Sequence, residues 1–213
     1  MFTGIIQAQG NIKEIRSSNK GAVFVLNSNS LDLSDVSIGD SIAVNGVCLT
    51  VTQLVDNSFS ADVSQETLNC STFSQLKKGQ NINLEKSLRL DQGIDGHLVS
   101  GHVDGVGKVI SIAIEGESTC MKIKVDDNLV KYIAKKGSIC INGVSLTVNE
   151  IDDNVFGVNI VPHTFSVTTL DELKVNSQVN LEIDIIARHI EEFLNHKTSA
   201  GIDKALLIKN GYL

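Results

Sequence analysis

The sequence predicts an all-β chain made of two tandem barrels, each a small closed sheet, with short helices and a C-terminal α-helix. Three observations lead there. A hairpin signature occurs twice at a fixed offset, the text before Glu85 breaks into six short alternating runs, and the hydrophobic pattern turns helical only after Asp184.

The hairpin sets the repeat. Ser41-Ile42-Ala43-Val44-Asn45-Gly46-Val47-Cys48-Leu49-Thr50-Val51 aligns without a gap with Ser138-Ile139-Cys140-Ile141-Asn142-Gly143-Val144-Ser145-Leu146-Thr147-Val148, an offset of 142 − 45 = 97 residues. Asn-Gly tolerates the positive φ angles of a type I′ turn, and such a turn determines the register of the strands it joins. Val44 then lies opposite Val47, Ala43 opposite Cys48, Ile42 opposite Leu49 and Ser41 opposite Thr50. One face is apolar, with Ile42, Val44, Val47, Leu49 and Val51. The other carries only small or mildly polar groups, Ser41, Ala43, Cys48 and Thr50, matched by Ser138, Cys140, Ser145 and Thr147 in the second copy. Such a face suits either a shallow ligand floor or a packing surface for a neighbouring segment of the same barrel, and the hairpin by itself leaves both open.

In chain order, the candidate strands of the first copy are 2–7, 23–26, 41–44, 47–54, 58–63 and 81–84. The match at the same offset continues through Asp56-Asn57 with Asp153-Asn154, Phe59 with Phe156, and Asn83-Leu84-Glu85 with Asn180-Leu181-Glu182. A duplicated barrel follows, divided as residues 1–96, 97–184 and a C-terminal helix and tail at 185–213. The second barrel is expected to open with His97-Leu98-Val99-Ser100-Gly101-His102-Val103-Asp104-Gly105, so that Gly4 corresponds to Gly105, Phe2 lies against Val103, and the N-terminus is a first strand. Short helical text occurs at 65–70 and 127–134. Beyond Asp184, Ile186, Ile190, Phe193 and Leu194 fall at i, i+4, i+7 and i+8, with Arg188, Glu191, Glu192 and Asn195 on the other side. This amphipathic helix arrives after both barrels are complete, so its stripe is expected to be covered by another subunit; docking on its own barrel is the alternative. A second apolar patch, Leu206-Leu207-Ile208, lies in the tail.

Composition narrows the class. The 213 residues carry a net charge of −7 without a basic stripe to neutralise phosphates, so nucleic acid is not expected as a partner. No apolar run reaches the roughly 18 residues of a membrane span, and the start Met1-Phe2-Thr3-Gly4-Ile5 lacks the basic flank of a signal peptide. A cytoplasmic location is expected. Cys48, Cys70, Cys120 and Cys140 show no CxxC spacing and read as free thiols rather than disulfides or a zinc site.

Few residues could carry chemistry. His97 and His102 lie in glycine-rich text with no nearby cluster of carboxylates or thiols, so a metal is not expected and His102 reads as a proton carrier or hydrogen-bond donor at a barrel mouth. Cys48 is the nucleophilic residue of the first hairpin, whereas its counterpart is Ser145; two faces alike in shape but unlike in reactivity suggest two sites with different tasks. A small buried cysteine is the alternative. Asp62-Val63-Ser64-Gln65-Glu66-Thr67 matches Asn159-Ile160-Val161-Pro162-His163-Thr164, and each is a strand end whose backbone could read a planar, amide-rich ring.

These motifs together, with Glu182-Ile183-Asp184, closely resemble the riboflavin synthase family over almost the whole chain. The resemblance implies two six-stranded Greek-key barrels, a C-terminal helix that gathers a homotrimer, and no external cofactor. It implies a dismutation in which one 6,7-dimethyl-8-ribityllumazine gives a four-carbon unit to another, yielding riboflavin and 5-amino-6-ribitylamino-uracil. By the same resemblance Ser41, Cys48, Thr50 and His102 carry the chemistry of the first half. Ligand contacts come from Phe2, Thr3, Gly4, Ile5, Ile6, Leu49, the two strand ends 62–67 and 159–164, His97, Gly101, Val103, Lys136, Ser145, Leu146, Thr147 and Asp184. His163 stands where the family pattern leads one to expect Glu or Gln. Lumazine and riboflavin are the implied ligands, association with lumazine synthase is allowed, and a non-catalytic antenna protein of the same ancestry is the competing reading.

Overall fold

The computed structural model describes residues 1–18, 20–198 and 208. The described residues form two closed six-stranded antiparallel barrels whose strand orders coincide once the offset is applied. The first contains β1 (Ala8–Ser18), β2 (Gly21–Asn27), β3 (Ser41–Val44), β4 (Val47–Val55), β5 (Ser58–Ser64) and β6 (Asn81–Lys86). The second contains β7 (Gly105–Glu115), β8 (Ser118–Lys124), β9 (Ser138–Ile141), β10 (Val144–Asp152), β11 (Val155–Ile160) and β12 (Gln178–Ile183). Each meander folds back so that β2 pairs with β5, and β8 with β11, which makes a Greek key. Helix α1 (Gln65–Cys70) follows β5, α2 (Asp127–Val130) precedes β9, α3 (Pro162–Val167) follows β11, and α4 (Ile185–Thr198) follows β12.

The Asn-Gly hairpins adopt the predicted register, Val44 with Val47 through Ser41 with Thr50, and the copy repeats it. Both central residues of each turn have positive φ, 45° and 79° at Asn45 and Gly46, 47° and 85° at Asn142 and Gly143, as type I′ demands. The apolar faces line two separate cores, the first shared with Phe24, Phe59 and Phe73 and the second with Phe156, Met121 and Leu170. β-Bulges at Ile12/Glu14 and Val51/Gln53 recur at Val109/Ser111 and Val148/Glu150, bending the strands enough for so small a sheet to close.

The N-terminus departs from expectation. Residues 2–7 are not a barrel strand; β1 begins at Ala8, and Phe2 makes an isolated bridge to Val99. Phe2 N donates to Val99 O at 2.7 Å, Val99 N to Phe2 O at 3.0 Å, and His97 N to Thr3 O at 3.1 Å. Gly4 therefore corresponds to Gly101 and not to Gly105, whose counterpart is Ala8; Gly4 and Gly101 share positive φ values of 75° and 82°. The alternating apolar text of 2–7 is satisfied by a distant segment rather than by sheet neighbours, a distinction periodicity does not make. The helix expected over 127–134 is also shorter, since three-residue bonds such as Tyr132 N to Leu129 O take over after Val130.

Helix α4 is tied to its own barrel by its polar side. Lys131 Nζ meets Glu191 at 2.7 Å and Arg188 pairs with Asp104, while Ile186, Ile190, Phe193 and Leu194 are each more than half exposed. Of the tail patch, Leu206 and Leu207 lie outside the described residues, and Ile208 is exposed. Among the described residues no helix is long and apolar enough to cross a membrane.

Candidate functional site

The two small-polar faces lie on the outer walls of the barrels, and each serves both roles that the sequence leaves open. Ala43 and Cys140 are buried in a small cluster with Phe2 and Val99, against which Cys48 packs. Ser41, Cys48, Ser138 and Ser145 are half-buried, and Thr50 and Thr147 are exposed. The inner half of each face is thus a packing surface, and the outer half is open.

What covers the inner halves is a pair of straps, residues 1–6 and 97–103, that run between the barrels. Gly101 O accepts the Cys48 N–H at 2.8 Å, and Gly4 O accepts the Ser145 N–H at 2.7 Å. A Cβ on Gly101 would stand 2.5 Å from Cys48 Cβ, and one on Gly4 2.7 Å from Ser145 Cβ, so only glycine permits this approach. Val103 packs on the first core and Ile6 on the second.

Two buried carboxylates hold the straps from behind. Glu85 on β6, 3% exposed, accepts from Thr3 N and Thr3 Oγ1 through Oε1 at 2.6 and 2.7 Å, and from Gly4 N through Oε2 at 3.0 Å. Glu182 on β12, also 3% exposed, accepts from Ser100 N and Ser100 Oγ at 2.6 and 2.7 Å and from Gly101 N at 2.9 Å. Burial pushes both carboxyls above the usual range, against the pull of these donors. In the sequence the two glutamates stand only as matched positions of the repeat, with no site role. The available signal was the same Asn-Leu-Glu triplet at the end of the last strand of each repeat.

The straps also separate the histidines. His97 is buried with Nδ1 2.7 Å from Ser145 Oγ, in the second-barrel site. Burial pulls its imidazole below the ordinary value, with Asp184 opposing, so the ring is held neutral. Its Nε2 is buried without a hydrogen-bond partner among the described residues. His102 is exposed beside Gly101 in the first-barrel site, and its N–H donates to Ser100 Oγ at 3.2 Å. Five residues apart in one segment, the two lie beside different barrel faces.

Other predicted residues divide by orientation. Thr50 and Asp62 flank the Val51–Ala61 pair, and Thr147 and Asn159 flank the Val148–Val158 pair, so these polar groups extend each floor. Ser64 caps α1 by accepting from Thr67 N at 3.1 Å, and Gln65 and Glu66 are exposed beside it. Val161, Pro162 and His163 are exposed at the equivalent place, with Thr164 half-buried. Leu49, Val63, Leu146 and Ile160 point into the cores, which leaves only their backbone for a ligand, and Phe2, on the first strap, is wholly buried against Ala43, Val99 and Cys140. Ile5 is exposed. Exposed Lys136 has a φ of 68° and its Nζ lies 3.4 Å from Asn149 Oδ1. Asp184 is half-buried and caps α4 through Ile186 N at 2.9 Å. The four cysteines are free thiols.

Comparison with known proteins agrees with this twofold plan. The chain matches the Lumazine binding domain family over residues 3–87 and again over 100–184. It is 46% identical to the riboflavin synthase of Photobacterium phosphoreum over 217 aligned positions, covering all of both chains. It is 38% identical to that of Bacillus subtilis (strain 168), again over the whole of both. Among solved structures, LumP complexed with 6,7-dimethyl-8-(1'-D-ribityl) lumazine superposes with a TM-score of 0.76 at 30% identity, covering 86% of this chain and 99% of LumP. LumP complexed with riboflavin gives 0.78 at 29% identity with the same coverage.

Proposed function

The chain belongs to the riboflavin synthase family and carries that family's transferase activity, and from this premise we propose that its two outer-wall faces are the two substrate sites. The reaction joins two molecules of 6,7-dimethyl-8-ribityllumazine, one giving a four-carbon unit to the other, and releases riboflavin and 5-amino-6-ribitylamino-uracil. The observation that carries the assignment is equivalence of position with inequality of chemistry. Cys48 has Ser145 as its counterpart, and His102 has Ile5, while His97 serves only the Ser145 side. Two identical molecules that must react differently need two such unequal beds.

In the first bed, Ser41, Cys48, Thr50 and His102 face the open half of the floor and suit removal of a proton from an acidified methyl group and stabilisation of the carbanion. In the second, Ser145, Thr147, Asp184 and Lys136 offer polar groups to the partner ring, with buried His97 holding the Ser145 hydroxyl from behind. Holding the two rings in register replaces an improbable encounter, which supplies much of the rate. The reacting pair meets between the first barrel of one subunit and the second barrel of its neighbour in a cytoplasmic homotrimer, a reading supported by the outward stripe of α4.

Incubating the purified chain with 6,7-dimethyl-8-ribityllumazine alone should produce riboflavin, read as flavin fluorescence after chromatography, with half a mole formed per mole consumed. Tight binding without product would overturn the catalytic reading in favour of an antenna role.

A further inference from the structure

The straps cross. Glu182 belongs to the second barrel, pairing with Cys140, yet the segment it grips delivers Gly101 O to the Cys48 N–H of the first barrel at 2.8 Å. Glu85 belongs to the first barrel, pairing with Ala43, yet the segment it grips delivers Gly4 O to the Ser145 N–H of the second barrel at 2.7 Å. We propose that Glu182 and Glu85 are positioning residues that act across the barrels, each buried carboxylate setting the site of the barrel to which it does not belong. This rests on the assignment of the two faces as substrate sites.

The chemistry requires a carboxylate. Three donors converge on two oxygens in each grip, two on Oε1 and one on Oε2. An ionised carboxylate is acceptor-only and satisfies all three, whereas an amide turns one of its groups toward a backbone N–H that it cannot accept from. The grip reaches the reactive residues in few steps. From Glu182, one hydrogen bond to Gly101 N and one more from Gly101 O lead to Cys48, and the Ser100 hydroxyl bonded to Glu182 also accepts from His102 N. The other strap repeats this, since Thr3 Oγ1, bonded to Glu85, also accepts from Ile5 N at 3.3 Å. Each strap is held by a buried carboxylate of one barrel and meets the other barrel through its own glycine, so loosening a grip displaces the far site before it disturbs the near one. The two beds of one chain are therefore coupled through their scaffolding, without a shared ligand.

The test uses the full chain and two local reporters that need no substrate. Iodoacetamide labelling, resolved by peptide mass spectrometry, reads Cys48 apart from Cys70, Cys120 and Cys140. The backbone amide shift of Ser145, whose N–H is received by Gly4 O, reads the second bed. Glu182→Gln should raise the Cys48 labelling rate about tenfold, the factor corresponding to about 1.4 kcal/mol, and leave the Ser145 amide signal in place. Glu85→Gln should shift the Ser145 amide signal and leave Cys48 labelling unchanged. Should either variant fail to fold, Ser100→Ala and Thr3→Val remove the hydroxyls that meet each carboxylate and should give the same crossed pattern. An uncrossed response, equal loosening of both reporters, or no response in either would overturn the proposal. A crossed response in a chain that makes no riboflavin would instead overturn the catalytic reading and leave this one standing.

Discussion

Replacing Asn83 by alanine should weaken the whole molecule, because this side chain bonds one barrel to the other. Asn83 is wholly buried; its Nδ2 donates to Asn142 O at 2.9 Å and its Oδ1 accepts from Thr169 N at 2.8 Å, both groups of the second barrel. Asn180 returns the arrangement, donating to Asn45 O at 2.9 Å and accepting from Thr72 N at 2.7 Å. The hairpin tips meet between them so closely that a Cβ on Gly46 would lie 2.7 Å from Gly143 N. Truncation leaves one buried N–H and one buried C=O unpaired at about 1–3 kcal/mol each, so Asn83→Ala should cost about 2–6 kcal/mol in total. Against a typical stability of about 5–15 kcal/mol this is a large share. Urea unfolding followed by circular dichroism should show the lower midpoint, and Asn180→Ala should match it. A loss below about 1 kcal/mol for both would refute the view that these amides carry the barrel interface.

Three further outcomes are expected. His102→Gln should lower kcat by about a hundredfold, within the usual range for a lost proton carrier, and Cys48→Ala should also act on kcat; both should leave lumazine affinity, measured by fluorescence titration, nearly intact. Parental turnover in both would remove the chemistry from the first bed. Ile190→Glu with Phe193→Glu puts carboxylates on a stripe whose burial is worth about 1.5–3 kcal/mol per side chain, so sedimentation should show monomers with intact β dichroism and low activity that recovers at high concentration. A fully active monomer would place both reacting molecules on one chain. The buried His97 is held below its ordinary pKa, so the unfolded chain binds more protons as pH falls through about 6.5. Its contribution is present above that pH and lost below it, and the fall in stability toward pH 5 should be smaller in His97→Gln, by at most about 1.4 kcal/mol per pH unit; identical slopes would contradict the burial of a neutral ring.

Local rules carried much of this protein. Asn-Gly between β-branched runs determined turn type and register in both hairpins, because a two-residue turn with positive φ at both positions leaves no freedom to slip. The offset of 97 residues determined the duplicated architecture, and the spacing of Ile186, Ile190, Phe193 and Leu194 determined the C-terminal helix and its apolar side. Only the tertiary structure decided that residues 1–6 are a strap, that Gly4 answers Gly101, and that His97 and His102 lie beside different barrel faces. It also decided that Glu85 and Glu182 are buried and gripping. The reason is physical: each depends on partners far away in the chain, 82 positions for Glu85 with Thr3 and 48 for His97 with Ser145, and a periodicity of two states which face is apolar without stating what will cover it.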